Sequence, residues 1–213
     1  MDIFKNLYSS LLKKKINVLP PTLGKDGDEN YSRNTTKKIT LNSRKFIFGI
    51  FSRFDKDSKT TRLKYYLNRF LSSVDVLEEI EIYLFGNGSL YEKFPKFFNY
   101  SNVVFHIKGW SEKLLSDMNT CDFILCEGKG ETFHLISALS IYYQFPLINL
   151  SSFHPLNNYI NKPIFSYSDY KNKFKSNFLD FLSEVDQRSK EVNFLEEIST
   201  KNYLESFLSF CNI

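Results

Sequence analysis

Between residues 46 and 150 the chain alternates short apolar runs with segments of helical period, and few architectures accommodate that order. The runs 46–51, 81–85, 103–107, 123–126 and 146–150 are rich in Ile, Phe and Val and bounded by Gly, Asn or Ser, so they are predicted strands. The intervening segments 60–72, 89–98, 111–119 and 132–143 are predicted helices, with Ser111 and Thr132 as N-caps. A strand that returns parallel to its predecessor needs a crossover, and right-handed crossovers place helices on both faces of the sheet. The expected fold is therefore α/β: a doubly wound, Rossmann-like parallel sheet with a helical C-terminal tail.

The ends read differently. Residues 2–15 place Ile3, Phe4, Leu7, Tyr8, Leu11 and Leu12 on one stripe, with Lys5, Lys13, Lys14 and Lys15 outside it. That pattern fits a helix packed on the domain or one lying on an anionic membrane surface. Residues 20–41 are polar and rich in Gly, Asn and Thr, as a linker is. Residues 171–211 read as two or three helices, with Phe178, Phe181 and Leu182, then Leu204, Phe207 and Leu208, as apolar faces. The expected units are an N-terminal helix and linker over 1–41, a Rossmann-like domain over 42–170 and C-terminal helices over 171–213. A chain of 213 residues suits one core, and 42% hydrophobic with 24% charged residues argues against wholesale disorder.

Charge and cysteine content exclude some classes. A net charge of +4 is too small to imply a nucleic-acid partner. Residues 1–45 carry ten Lys/Arg against four Asp/Glu, while residues 180–213 carry three against seven. The basic start either pairs with the acidic end or faces an anionic surface. Cys121, Cys126 and Cys211 form no CxxC pair and lack zinc spacing, and the first two flank an apolar strand as small buried residues do. With no secretory leader and no apolar run of 18 residues, the expected location is cytoplasmic, with residues 1–15 the candidate for peripheral membrane contact.

In a doubly wound sheet, ligands bind outside the carboxyl ends of the strands. Those ends carry a cationic loop with Arg53, Lys56 and Lys59, then Gly86-Asn87-Gly88, Lys108-Gly109-Trp110-Ser111, Glu127-Gly128-Lys129-Gly130-Glu131 and Ser151-Ser152. Cations suit phosphates, glycines permit close backbone approach, and a carboxylate suits sugar hydroxyls. The Gly86 turn is not a dinucleotide fingerprint, because Tyr91 stands where the third glycine belongs. His106, within a strand, reads as a satisfied core residue. His134, one turn into a helix, reads as a packing residue or as a site residue.

Taken in order, these segments resemble the C-terminal, donor-nucleotide-binding half of retaining GT-B glycosyltransferases, over roughly residues 46–150. Phe48-Gly49-Ile50-Phe51-Ser52-Arg53 is similar to that family's first strand, Ile82-Tyr83-Leu84-Phe85-Gly86-Asn87-Gly88 to its strand ending in Gly-x-Gly, and Asn102 to Trp110 to the strand before its base-contacting loop. Cys121-Asp122-Phe123 resembles the strand start before its acidic motif, Glu131-Thr132-Phe133 opens that motif, and Pro146-Leu147-Ile148 matches the strand after it.

The resemblance implies hexosyl transfer from a nucleotide-sugar donor, with no metal required and with the acceptor half either missing from this sequence or supplied by a partner subunit or a second copy. It implies that Arg53 and Lys59 (or Lys56) hold the diphosphate, that Glu131 accepts hydrogen bonds from the sugar, and that the amides of Thr132 and Phe133 face phosphate beside His134. It further implies that Gly109 and Trp110 lie near the base, and that Gly86, Asn87 and Gly88 let the chain pass the ligand closely. Three positions depart from the family: its second glutamate, which binds ribose, falls on Leu139, and glycines fall on His134 and Gln144. Leu139 favours a non-catalytic, GT-like scaffold as the alternative. Another α/β nucleotide- or small-molecule-binding protein is the third reading.

Overall fold

The computed structural model describes residues 45–73, 79–129, 135–158, 160–167 and 178–192. The expectations for residues 1–41, for Gly130 to His134 and for residues 193–213 lie outside that set. Five strands, β1 (Lys45–Arg53), β2 (Glu79–Asn87), β3 (Val103–Gly109), β4 (Phe123–Cys126) and β5 (Leu147–Asn149), form one parallel sheet in the order β3-β2-β1-β4-β5. The helices are α1 (Ser58–Leu71), α2 (Leu114–Thr120), α3 (Leu135–Tyr142) and α4 (Phe178–Ser189), and two 3₁₀ turns cover Tyr91–Phe97 and Pro155–Asn158. The doubly wound reading is therefore correct: the chain winds outward from β1 through β3, then returns to the other side of β1 for β4 and β5.

Strand alternation builds two cores. Phe46, Phe48 and Ile50 of β1 point to one face, where α1 contributes Leu63, Leu67, Phe70 and Leu71 and α4 contributes Phe181, Leu182 and Val185. Phe48 meets Phe123 stacked at 5.4 Å and Phe70 edge-on at 5.5 Å. Each such ring removed from water stabilises the fold by about 1.5–3 kcal/mol. The opposite face holds Cys121, Ile124, Cys126, Ala138, Leu139, Ile141 and Phe145, so α2 and α3 lie against it. Asp122 sets the register between the halves of the sheet. Its carboxylate accepts the Ile47 N–H at 2.8 Å, and its own N–H donates to the Ile47 carbonyl at 2.8 Å.

Three local expectations are corrected. The helix expected at 89–98 is a 3₁₀ turn, because Pro95 lies inside it and lacks the N–H that an α-helical ladder needs. Ser111 does not cap α2, which starts at Leu114 after Lys113; its hydroxyl instead donates to Asp117 at 2.6 Å. His106 is not a satisfied core residue. It is half-buried, and its Nε2 has no hydrogen-bond partner among the described residues, with Glu81 at 3.6 Å.

The end of α3 explains one departure from the family pattern. Gln144 has φ of 60°, and the Phe145 N–H reaches back to Ser140 at 2.8 Å while the Gln144 N–H reaches Ile141 at 3.3 Å. That is a Schellman ending, whose left-handed residue is ordinarily glycine. Gln144→Gly should therefore raise stability by about 0.5–1 kcal/mol in a denaturant titration, because it relieves the left-handed conformation of a side-chain-bearing residue. A neutral or destabilising result would refute that account.

Candidate functional site at the carboxyl edge of the sheet

The order reverses between β1 and β4, so the helices that follow them leave on opposite faces and open a crevice at their carboxyl ends. The loop leaving β1 is fixed from below. The Phe54 N–H donates to Asn87 O at 2.7 Å, the Leu90 N–H donates to Phe54 O at 2.7 Å, and the Phe54 ring is fully buried against Tyr91 and Phe94. Asp57 then caps α1, accepting the Thr60 N–H at 2.7 Å. That bond holds its carboxyl below its usual value of 3.8. A depressed carboxyl stabilises the fold above its unfolded value and ceases to as pH falls through the lower folded value. Asp57→Ala should cost about 1 kcal/mol near pH 7, and the difference should vanish in strong acid. A loss that persists unchanged below pH 2 would contradict the cap.

Lys59 and Arg62 stand three residues apart on α1, one turn along the same face. Arg62 Nε donates to Glu127 Oε2 at 3.2 Å, and its Nη1 donates to the Ser58 hydroxyl at 3.2 Å. Glu127, the first residue after β4, has a side chain only 2% exposed, and its Oε1 accepts the Lys129 N–H at 2.9 Å. Arg53 ends β1 opposite Asn87, with its side chain 74% exposed and its guanidinium paired to Asp55 at 2.9 Å. Lys56 is exposed.

A second polar network supports the loop after β4. Asn149, buried at the end of β5, accepts the Gly128 N–H at 3.2 Å and donates to the carbonyls of Ser151 at 2.7 Å and Phe153 at 3.0 Å. His154 is fully buried, its Nδ1 accepts the Leu156 N–H at 3.2 Å, and its Nε2 lies 3.0 Å from the Ser137 hydroxyl on α3. Since Nδ1 accepts, the proton sits on Nε2 and is donated to Ser137. Burial pushes the Cys126 thiol up to about 12, so it stays protonated and unreactive at neutral pH. Among the described residues no group of His, Cys, Asp and Glu could hold a metal ion, and no helix is long and apolar enough to cross a membrane.

On the β2–β3 side, Tyr91 bridges the strand ends. Its hydroxyl accepts the Gly109 N–H at 2.6 Å and donates to the Leu84 carbonyl at 2.6 Å. Gly109 has φ of 85° and open space around it, and Trp110 beyond it is 44% exposed.

No protein-family model and no curated protein matches the chain. Solved structures do. TarM from S. aureus superposes with a TM-score of 0.54 at 18% identity, over 84% of this chain and 37% of TarM. A point mutant of TarM, in complex with fondaparinux, alpha-GlcNAc-glycerol and UDP, gives 0.53 at 19% identity, over 85% and 38%. The catalytic domain of starch synthase IV from Arabidopsis thaliana, bound to ADP and acarbose, gives 0.48 at 14% identity, over 90% and 43%. These are GT-B glycosyltransferases. The chain has the fold of a single GT-B half.

Within that GT-B half, the structure gathers Arg53, Lys59, Gly86, Asn87, Gly88, Gly109 and Trp110 at the carboxyl edge. Glu131, Thr132, Phe133 and His134 fall outside the described residues. Leu139, the position where the resemblance expects a second glutamate, is 2% exposed within the second core. Gly86 and Gly88 have φ of 143° and 131°, and the space beside them is filled by the backbone of Ser52 and Phe54. Sequence reading missed the Arg62–Glu127 pair and His154. The sequence shows a carboxylate directly after an apolar strand and a second cation one turn beyond Lys59, but it does not show that the two meet across 65 residues.

Proposed function

We propose that the chain is the donor-binding half of a GT-B glycosyltransferase, which takes a hexosyl group from a nucleotide sugar. The acceptor half would come from a partner subunit, a second copy or a further part of the protein, since this chain spans less than two-fifths of TarM. The observation that carries the reading is the β1/β4 switch point of a GT-B fold, lined by Lys59 and Arg62 on one helix face. The TarM complex with UDP supports a nucleotide ligand for this fold.

In this reading Arg53 and Lys59 take the diphosphate, where positive charge also stabilises the departing nucleotide without a metal ion. Glu131 binds the donor sugar, and the amides of Thr132 and Phe133, beside His134, face phosphate. Gly109 and Trp110 flank the base, and Gly86, Asn87 and Gly88 form the floor of the crevice. A thermal-shift screen of nucleotide sugars and nucleoside diphosphates tests it. A ligand at a hundred times its Kd adds about 2.7 kcal/mol and raises the melting temperature by several degrees. Arg53→Ala should shrink that rise, and no shift with any nucleotide at millimolar concentration would sink the proposal.

The buried Leu139 favours a second reading, a GT-like module that binds or scaffolds without catalysis. Under it, charge reversal at Glu131 leaves partner binding intact, and no sugar is transferred or hydrolysed from any bound donor.

A further inference from the structure

The Arg62–Glu127 pair is a costly feature to place at a switch point. Withdrawing a carboxylate from water costs several kcal/mol, and an ion pair seldom returns a net stability gain. What such a pair does provide is orientation. Glu127 has a side chain 2% exposed and is held by the Lys129 N–H as well as by Arg62. Ser58 takes the Nη1 edge of the guanidinium, so two of its three nitrogens are fixed from two directions. Nη2 has no partner among the described residues, and the Arg62 side chain remains 29% exposed. Arg53 differs on each count: its side chain is 74% exposed, and among the described residues its ion pair is with Asp55 on its own loop.

We infer that Arg62 is a further diphosphate-binding residue, with its free Nη2 edge turned toward the crevice beside Lys59, and that Glu127 is the positioning residue that holds it there. The inference rests on the donor-binding reading and deepens it. A pre-set guanidinium loses less freedom on gripping phosphate than an exposed one, so Arg62 contributes more to affinity than Arg53 does. Glu127 also makes the site distinctive. Judged by charge alone, removing its carboxylate should tighten anion binding; as a positioning group, its removal loosens binding because the guanidinium is no longer held.

Titration calorimetry of the 213-residue chain with UDP and with inorganic pyrophosphate, at low salt, decides the matter. Arg62→Gln alone strands a buried carboxylate, so the paired variant R62Q/E127Q is used beside it, with folding checked by circular dichroism. The expected result is a loss of about tenfold or more in affinity for both ligands in R62Q/E127Q, and a smaller loss in R53Q. E127Q alone should weaken binding, and R69Q, a charge-matched change at the far end of α1, should leave it unchanged. Wild-type affinity for UDP in R62Q/E127Q would overturn the role of Arg62 while leaving the donor-binding reading in place. Tighter binding in E127Q would overturn the positioning role of Glu127. Failure of the wild-type chain to bind UDP, any other nucleoside diphosphate or pyrophosphate would overturn both the inference and the reading it rests on.

Discussion

Replacing Gly86 by alanine is expected to cost about 3–5 kcal/mol, lowering the melting temperature by roughly 10 °C. A Cβ on Gly86 would stand 1.8 Å from the Ser52 carbonyl oxygen, and the residue has φ of 143°, a conformation that L side chains rarely adopt. Ser52 is the register partner of Gly86 in the β1–β2 ladder, so relief would require the two central strands to part at their carboxyl ends. Gly109→Ala is the internal control. Gly109 also has a positive φ, 85°, but nothing lies within 4 Å of its missing side chain, so only the conformational cost of about 1–2 kcal/mol applies. Urea titrations of the two variants separate the contributions. A Gly86→Ala protein as stable as Gly109→Ala would show that strand contact is not what demands the glycine. The glycine turn therefore shapes the edge of the site from inside the sheet, whether or not a ligand also lies against it.

How much of this could be read from the sequence depends on whether the determinant is periodic or relational. The five strands were legible because each is an apolar run between breakers, and 123–126 coincides with β4 as predicted. The doubly wound, parallel arrangement followed from the alternation and the crossover rule, whereas the order β3-β2-β1-β4-β5 is read only from the structure. Tertiary pairing was illegible: nothing in the sequence announces that Glu127 meets Arg62, 65 residues earlier, or that His154 closes on Ser137. His154 follows Phe153 in a stretch with no period, so it carried no signal, whereas His106 within a strand drew attention and proved half-exposed. The 3₁₀ turn at Tyr91–Phe97 was misjudged because the apolar spacing was weighed above Pro95. Ser111 looked like a cap by residue type, yet its hydroxyl is taken by Asp117. The family's missing glycine at Gln144 left its mark in the backbone: the chain keeps the left-handed turn and carries a side chain through it.

His154 and Gly128 should behave as one unit. A Cβ on Gly128 would lie 2.4 Å from His154 Cδ2 and 3.0 Å from Cγ and Nε2, while the glycine's backbone needs no positive φ. The obstacle is thus the imidazole alone, and the imidazole cannot swing away without breaking its bonds to Ser137 and Leu156. Gly128→Ala should cost about 2–3 kcal/mol by overpacking. His154→Ala should cost about 3–4 kcal/mol, through the cavity left in a fully buried site and the loss of two hydrogen bonds. In the double variant the new methyl group occupies part of the space that the ring vacates, so the cost should fall short of the sum by about 2 kcal/mol or more. Equilibrium unfolding of the four proteins in a double-mutant cycle measures that coupling. Additivity within about 0.5 kcal/mol would refute the contact. The coupling matters for the site because Gly128 lies between Glu127 and Lys129, at the base of the loop that leads to Glu131. His154 and Asn149 together fix that base from the β5 side, as Arg62 does from α1. A loop base anchored both from α1 and from the β5 side holds the Glu127 carboxylate in one arrangement, and with it the Arg62 guanidinium.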